Sequence, residues 1–422
     1  MERAGDILTL KPDDVAKLAA SRSLTWLLAA ACGLIAANVY YAQPLAGLIG
    51  RAIGLPPEAS GLVVTLTQVG YGAGLFLIVP LGDLIENRIL VTSMVGITSL
   101  ALAAAAWSPD AASFLPAVLL IGLGSVGVQI LIPYASHMAS PETRGTMVGN
   151  VTTGLMAGVM LSRPVSSWIA SVSNWRCVFL LASALMLALT VWLALRLPKR
   201  MPESKLTYVA LLASMSRLAL KSQTLRQRAI YQCFLYGAFS LFWTTIPMRL
   251  TGPGLHFSQS GVALFAILGG CGGTLAAPIA GRLADRGWTR LATGGAMMAV
   301  AAGFLLTLVH VENSRLAFCL LVVSAIVLDS GMTVNFIVGQ RSIFVTEPEY
   351  RSRLNGLYMA FFFLAGAAGS ALGGWAYATG GWQSVSSLGV ALPVAGLIWL
   401  LAERRQSGDG AAWDRTTRRT LR

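Results

Sequence analysis

Twelve long apolar segments limit what this chain of 422 residues can fold into. A helix that crosses a bilayer needs about 20 mostly apolar residues. Such stretches lie near 24–47, 59–81, 89–108, 111–136, 145–170 and 175–196, and again near 229–250, 259–281, 291–310, 315–340, 354–378 and 382–402. Only 12% of the residues are charged, against roughly a quarter in a soluble globular domain. The expected fold class is therefore an all-α integral membrane protein with twelve transmembrane helices. The segment "KLTYVALLASMSRLALK" (205–221) is apolar but too short to span, and it reads as an amphipathic helix on the membrane surface.

The net charge of +13 is a topology signal, because Lys and Arg collect in cytoplasmic loops. With both termini cytoplasmic, that side carries 26 of the 31 basic residues. The other side carries Arg51, Arg176, Arg249 and Arg315, while Arg163 falls inside a span. No basic run with interleaved aromatics offers a nucleic-acid groove. The N-terminus lacks the basic-then-apolar build of a signal peptide. The five cysteines form no CxxC pair and read as small buried hydrophobes. No cofactor and no metal is expected. The expected partners are a small-molecule substrate, protons and the lipid bilayer, and the expected state is a monomer.

The second six segments repeat the first six. "PETRGTMVG" at 141 and "PEYRSRLNG" at 348 are 207 residues apart, as are "NWRCVF" at 174 and "GWQSVS" at 381. "GDLIENR" at 82 and "GRLADRG" at 281 are 199 apart. Each pair holds the same place in its half, and six spans return the chain to its starting side, so the halves share orientation. The organisation read from this is a lead-in (1–21), an N-terminal bundle (22–196), a linker (197–228), a C-terminal bundle (229–402) and a basic tail (403–422).

At these residues the chain resembles the major facilitator superfamily, over about 22–402. The superfamily's loop signature after helix two is matched closely in the second half by Gly281, Leu283, Ala284, Asp285 and Arg286. The first half carries Gly82, Asp83, Leu84, Glu86 and Arg88, with Glu86 in place of the usual Asp. "NVYYAQPL" (38–45), "NWRCVF" and "RSRLNG" look like the bacterial exporter branch of drug:proton antiporters and sugar or nucleoside efflux permeases. The resemblance implies two six-helix bundles, alternating access and a bacterial inner-membrane location. It also implies a gating role for Gly82, Asp83, Glu86, Arg88, Gly281, Asp285 and Arg286, although the arginines also fit plain positive-inside residues. Two features depart from the antiporters. "FLPAVLLIGLGSVG" (114–127) lacks their helix-four Arg, and Arg163 stands where the helix-five signature continues with a Gly-Pro pair.

Two ionisable groups lie well inside spans: Asp329, within "LLVVSAIVLDSGMTVNFIVGQ" (320–340), and Arg163. Intramembrane charges tend to mark ion or substrate pathways. Asp329 is the candidate proton-coupling residue, neutral in one conformation and ionised when water or a cation reaches it. A structural alternative is a protonated Asp bonded to a neighbouring helix. At about 100° per residue, Asp329, Thr333, Phe336 and Gln340 share one stripe. Arg163 reads as an anchor for a polar substrate, a partner for Asp329, or a side chain snorkelling to the outer interface. Their expected depths differ by roughly 9 Å, which a long Arg side chain covers if the helices adjoin.

Further candidate substrate contacts are Asn38, Tyr41, Gln68, Tyr71, Gln129, Tyr236, Trp243, Thr333 and Gln340. Tyr40 and Gln43 stand in one group with Asn38 and Tyr41 near the outer end of helix one. The resemblance implies a cavity lined by helices one, four, seven and ten, which favours Gln129, Tyr236 and Trp243, although Tyr and Trp also gather at membrane interfaces without a ligand. The expected function is proton-coupled export of a small organic compound, with a proton-independent facilitator or importer as the alternative. An enzyme needs clustered acids, His ligands or a nucleophile with its base, whereas His137, His256 and His310 each stand alone at a span end.

Overall fold

A computed structural model describes residues 12–202, 207–311, 313–346 and 350–420, with side chains described between 23 and 403. The first eleven residues of the expected lead-in and the last two of the tail lie outside the described residues. Among the described residues the regular structure is helical, with no strand. Eight helices are long and apolar enough to cross a membrane by composition alone. Seven are single spans: two (Pro57–Asp83), three (Asn87–Trp107), four (Ala111–Met138), six (Trp175–Arg196), eight (Gln259–Asp285), nine (Thr289–Leu306) and ten (Ser314–Thr346).

The eighth, Arg351–Glu403, is two spans in one. Its backbone breaks at Gly380 and at Gly381, which sits at φ 62°, a left-handed conformation open to glycine. The break separates span eleven from span twelve. At the equivalent place in the first half, Asn174 caps span six by accepting the Cys177 N–H at 3.1 Å. Three more polar helices complete the twelve: span one (Pro12–Ala37), span five (Arg144–Val172) and span seven (Gln223–Thr251).

Spans one and five lie backbone to backbone. Gly154 and Gly158 pack directly on Ala29 and Gly33, so a side chain on Gly158 would overlap the Gly33 backbone. The short linker helix Tyr208–Lys221 begins at a Thr207 cap, whose hydroxyl accepts the Ala210 N–H at 3.3 Å. It buries Leu211 and Met215, and Met215 joins Leu225, Leu354 and Leu357 in a small core. Tyr208 donates to the Leu77 carbonyl oxygen at 2.7 Å, tying this helix to the first half.

The halves enclose a cavity of about 490 Å³ at each end of the bundle. The cavity at the end carrying the basic loops is lined by Asp83, Asn87, Gln129, His137, Arg200 and Arg353 among others. The opposite one is lined by Pro44, Gly47, Arg51, Met248, Gln259 and Tyr377 among others. A buried layer of polar and aromatic side chains stands between them.

Candidate functional site

The site begins where span one loses its α-helical winding. Pro44 has no N–H to continue the helix, and the Tyr40 carbonyl accepts from Gln43 N at 3.1 Å. The chain passes through turns at 38–42, a 3₁₀ turn at Gln43–Leu45 and a short helix, Ala46–Ala52. This unwinding turns Tyr40 and Gln43 toward span five. Arg163 donates from Nε to Gln43 Oε1 at 2.7 Å, and its guanidinium carbon stands 4.9 Å from the Tyr40 ring centre.

The second half supplies the rest of the enclosure. Phe239 and Trp243 are one turn apart on span seven, with ring centres 5.5 and 4.7 Å from the same guanidinium carbon. Arg163 is 6% exposed and turned into the junction of the two halves, so it does not snorkel to the outer interface. Three aromatic faces around a desolvated guanidinium make a cation–π enclosure.

Asp329, on span ten, is 7% exposed and accepts the Trp243 indole N–H at 3.2 Å. Gly273 of span eight lies against it; a Cβ there would stand 3.6 Å from the carboxyl oxygen Oδ2 and 2.8 Å from Thr333 Oγ1. Arg163 and Asp329 thus meet without a direct ion pair. Trp243 stands between them, its face on the cation and its edge on the carboxyl group. The expected stripe on span ten divides its contacts. Thr333 faces span eight, Phe336 stacks on Tyr358, and Gln340 donates to Asn355 Oδ1 at 2.8 Å.

Gln68 donates to Ser240 Oγ at 3.1 Å, and Ser240 joins Ser370 at 2.7 Å, linking spans two, seven and eleven across the halves. Gln129 donates to the Tyr71 hydroxyl at 3.2 Å and lines the cavity at the basic end. Tyr71 packs on Phe363, and Tyr236 stacks on Phe362. Asn38 turns into its own half, donating to Met186 Sδ at 3.2 Å, away from the central enclosure. Tyr41 is buried nearby.

The loop candidates separate by half. Asp285 pairs with Arg341 at the basic end of span ten, an exposed contact within one half. Arg286 lies over Trp288, and Gly281 has open space around it. In the first half, Glu86 is the N-terminal cap residue of span three and Arg88 reaches the Leu197 carbonyl oxygen at 3.4 Å. Asp83 is exposed to the cavity and Gly82 is buried. Asn87 binds the Gly82 carbonyl at 2.7 Å and accepts from Arg200 at 2.8 Å. The sequence reading missed Asn87, Arg200, Arg341, Phe239 and Gly273. Phe239 alone left a usable signal, the one-turn spacing to Trp243.

The model of the Major Facilitator Superfamily matches residues 26–343. The chain belongs to this superfamily. It is 35% identical over 389 residues to "Uncharacterized transporter YgaY" of Escherichia coli O157:H7, covering 92% of this chain and 97% of that one. It is 29% identical over 382 residues to "Probable transporter SCO4007" of Streptomyces coelicolor, covering 90% and 87%. In three dimensions it is similar to the crystal structure of nucleoside transporter NupG, with a TM-score of 0.71 at 16% identity, over 90% of this chain and 99% of that one. This superfamily member is a multi-pass membrane transporter with twelve helices in two bundles.

Proposed function

We propose that this transporter exports a small organic compound in exchange for protons, by alternating access, with Asp329 taking and releasing the proton. One observation carries the proposal. The carboxyl group deep inside a span lies at the junction of the halves, an indole away from the intramembrane Arg163 of the other half. Moving the halves apart changes its surroundings, and a group whose surroundings change between states suits proton exchange.

In this reading Arg163, Trp243, Tyr236, Gln68, Tyr71 and Gln129 contact substrate as it passes between the two end cavities. The loops at Glu86 and Asp285 hold one conformation. The placement of 26 of 31 basic residues supports an inner-membrane orientation with both termini cytoplasmic. A second reading, a facilitator without protons, is favoured by the missing helix-four Arg and helix-five Gly-Pro pair.

The test starts with a thermal-shift screen of the purified protein against metabolites and drugs at two pH values. A ligand found there is followed in proteoliposomes. The wild type is expected to accumulate it in response to a pH gradient. Asp329→Asn is expected to keep ligand exchange and lose that response. A variant that stays fully gradient-driven would sink the assignment of Asp329. A wild type indifferent to the gradient makes the protein a facilitator.

A further inference from the structure

We propose that Trp243 is a positioning residue that carries the charge state of Asp329 across the junction to Arg163, forming a latch that holds the halves together on the non-basic side. The inference rests on Asp329 being the proton-carrying group and adds the means by which its proton is felt by the other half.

The indole makes two contacts that belong to different halves. Its face lies 4.7 Å from the Arg163 guanidinium carbon, and its N–H donates to Asp329 Oδ1 at 3.2 Å. Gln43 Oε1 fixes the Arg163 side chain from behind at 2.7 Å, so the guanidinium is presented to Phe239 and Trp243 as a fixed knob. An ionised carboxylate accepting the indole N–H makes a stronger hydrogen bond than a neutral acid. It also pushes electron density onto the ring face, strengthening the hold on the cation. A proton on Asp329 removes the opposite charge and weakens both contacts at once.

Among the described residues, Asp329 is the carboxyl group that faces this junction. Span five brings Arg163, span one brings Tyr40, and span seven brings Tyr236 beside Tyr40. The ionisable group of span eight in this stretch is the Cys271 thiol, bonded to the Ile267 carbonyl oxygen at 3.2 Å. Span nine presents Ala296, Ala299 and Val300 to Gly331, none of them ionisable. Beyond the latch, Gly47 of the first half and Met248 of the second close together, a Cβ on Gly47 lying 3.3 Å from Met248 Cγ. Release of Arg163 frees these two elements to part.

The experiment places spin labels at Arg51→Cys and Ser260→Cys, one in each half on the non-basic side, in full-length protein with the five native cysteines replaced. Distances are read by pulsed electron resonance across pH. The unaltered latch is expected to give one short distance at high pH and a longer population as pH falls. Trp243→Phe keeps a ring under Arg163 and loses the N–H, so the pH response should shrink several-fold while the protein still purifies as a folded species. Asp329→Asn should abolish it. If Asp329→Asn abolishes the response and Trp243→Phe leaves it intact, the relay is wrong and the role of Asp329 survives. A response that persists in both variants overturns the relay and the proton assignment together. A Trp243→Phe protein that fails to purify is replaced by Gln43→Leu, which frees the guanidinium from behind. An unchanged response there also counts against the latch.

Discussion

Two of the places where this transporter brings an acid near an arginine are built in opposite ways. Asp285 and Arg341 touch directly at the basic end, each about half exposed, at 59% and 51% of side-chain surface, and both belong to the second half. Asp329 and Arg163 come from different halves, are almost fully buried, and have an indole between them. Direct contact is thus the weaker clue to importance. An exposed pair is solvated and screened and contributes about 0–1 kcal/mol. Buried charges have lost their water, so removing either partner leaves a cost that water cannot refund.

The sharpest way to break this comparison is to neutralise each buried group in turn. Asp329→Asn keeps the size of the side chain and an acceptor for the indole but isolates the Arg163 charge, which an arginine cannot shed by losing a proton. A stability loss of about 3 kcal/mol is expected, read as a lowered melting temperature in detergent. Arg163→Met should cost less, about 1–2 kcal/mol, because Asp329 can take up a proton and so escape an uncompensated charge. Lowering the pH should shrink the Arg163→Met deficit and leave that of Asp329→Asn in place. The double variant should be more stable than the summed single losses require. Equal, additive losses at every pH would mean that the two charges do not feel each other through Trp243.

The unequal visibility of the two places in the sequence follows from the same physics. A charge in an apolar run is conspicuous, so Asp329 and Arg163 stand out without any structure, and the 207-residue repeat gives the two halves. The helix count was equally legible, because all twelve apolar runs stand out in the sequence, those of the mildly polar spans one, five and seven among them. What no linear pattern holds is which side chains from distant spans converge. Asn38 and Gln43 look alike as polar residues at the end of span one, yet the unwinding before Pro44 sends one to Met186 and the other to Arg163. Gly273 was hidden for a different reason, since its contribution is the absence of a side chain beside Asp329. Asn87 and Arg341 are ordinary loop-end residues until folding gives them Arg200 and Asp285 as partners.

Between the extremes lies the neutral link of Gln68 with Ser240, fully buried and also shared by both halves. Gln68→Leu removes the contacts with Ser240, at 3.1 Å from the amide nitrogen and 3.4 Å to the amide oxygen, and Ser240 keeps Ser370 as a partner at 2.7 Å. A loss of about 1 kcal/mol is expected, with no dependence on pH or salt because no charge is involved. A loss as large as that of Asp329→Asn would show that burial at the junction, and not charge, sets the cost.

The smallest effect belongs to the direct ion pair. Asp285→Asn leaves Arg341 half-exposed and free to be solvated, so stability should change by less than about 1 kcal/mol, and high salt should erase what difference there is. The loop's role in gating would then appear in transport rate alone, because a contact made in one conformation shifts the balance between states by only its own small worth. A slower or faster cycle at unchanged melting temperature is the expected result. A melting loss comparable to that of Arg163→Met would remove the distinction between exposed and buried charge on which the ordering of these variants depends.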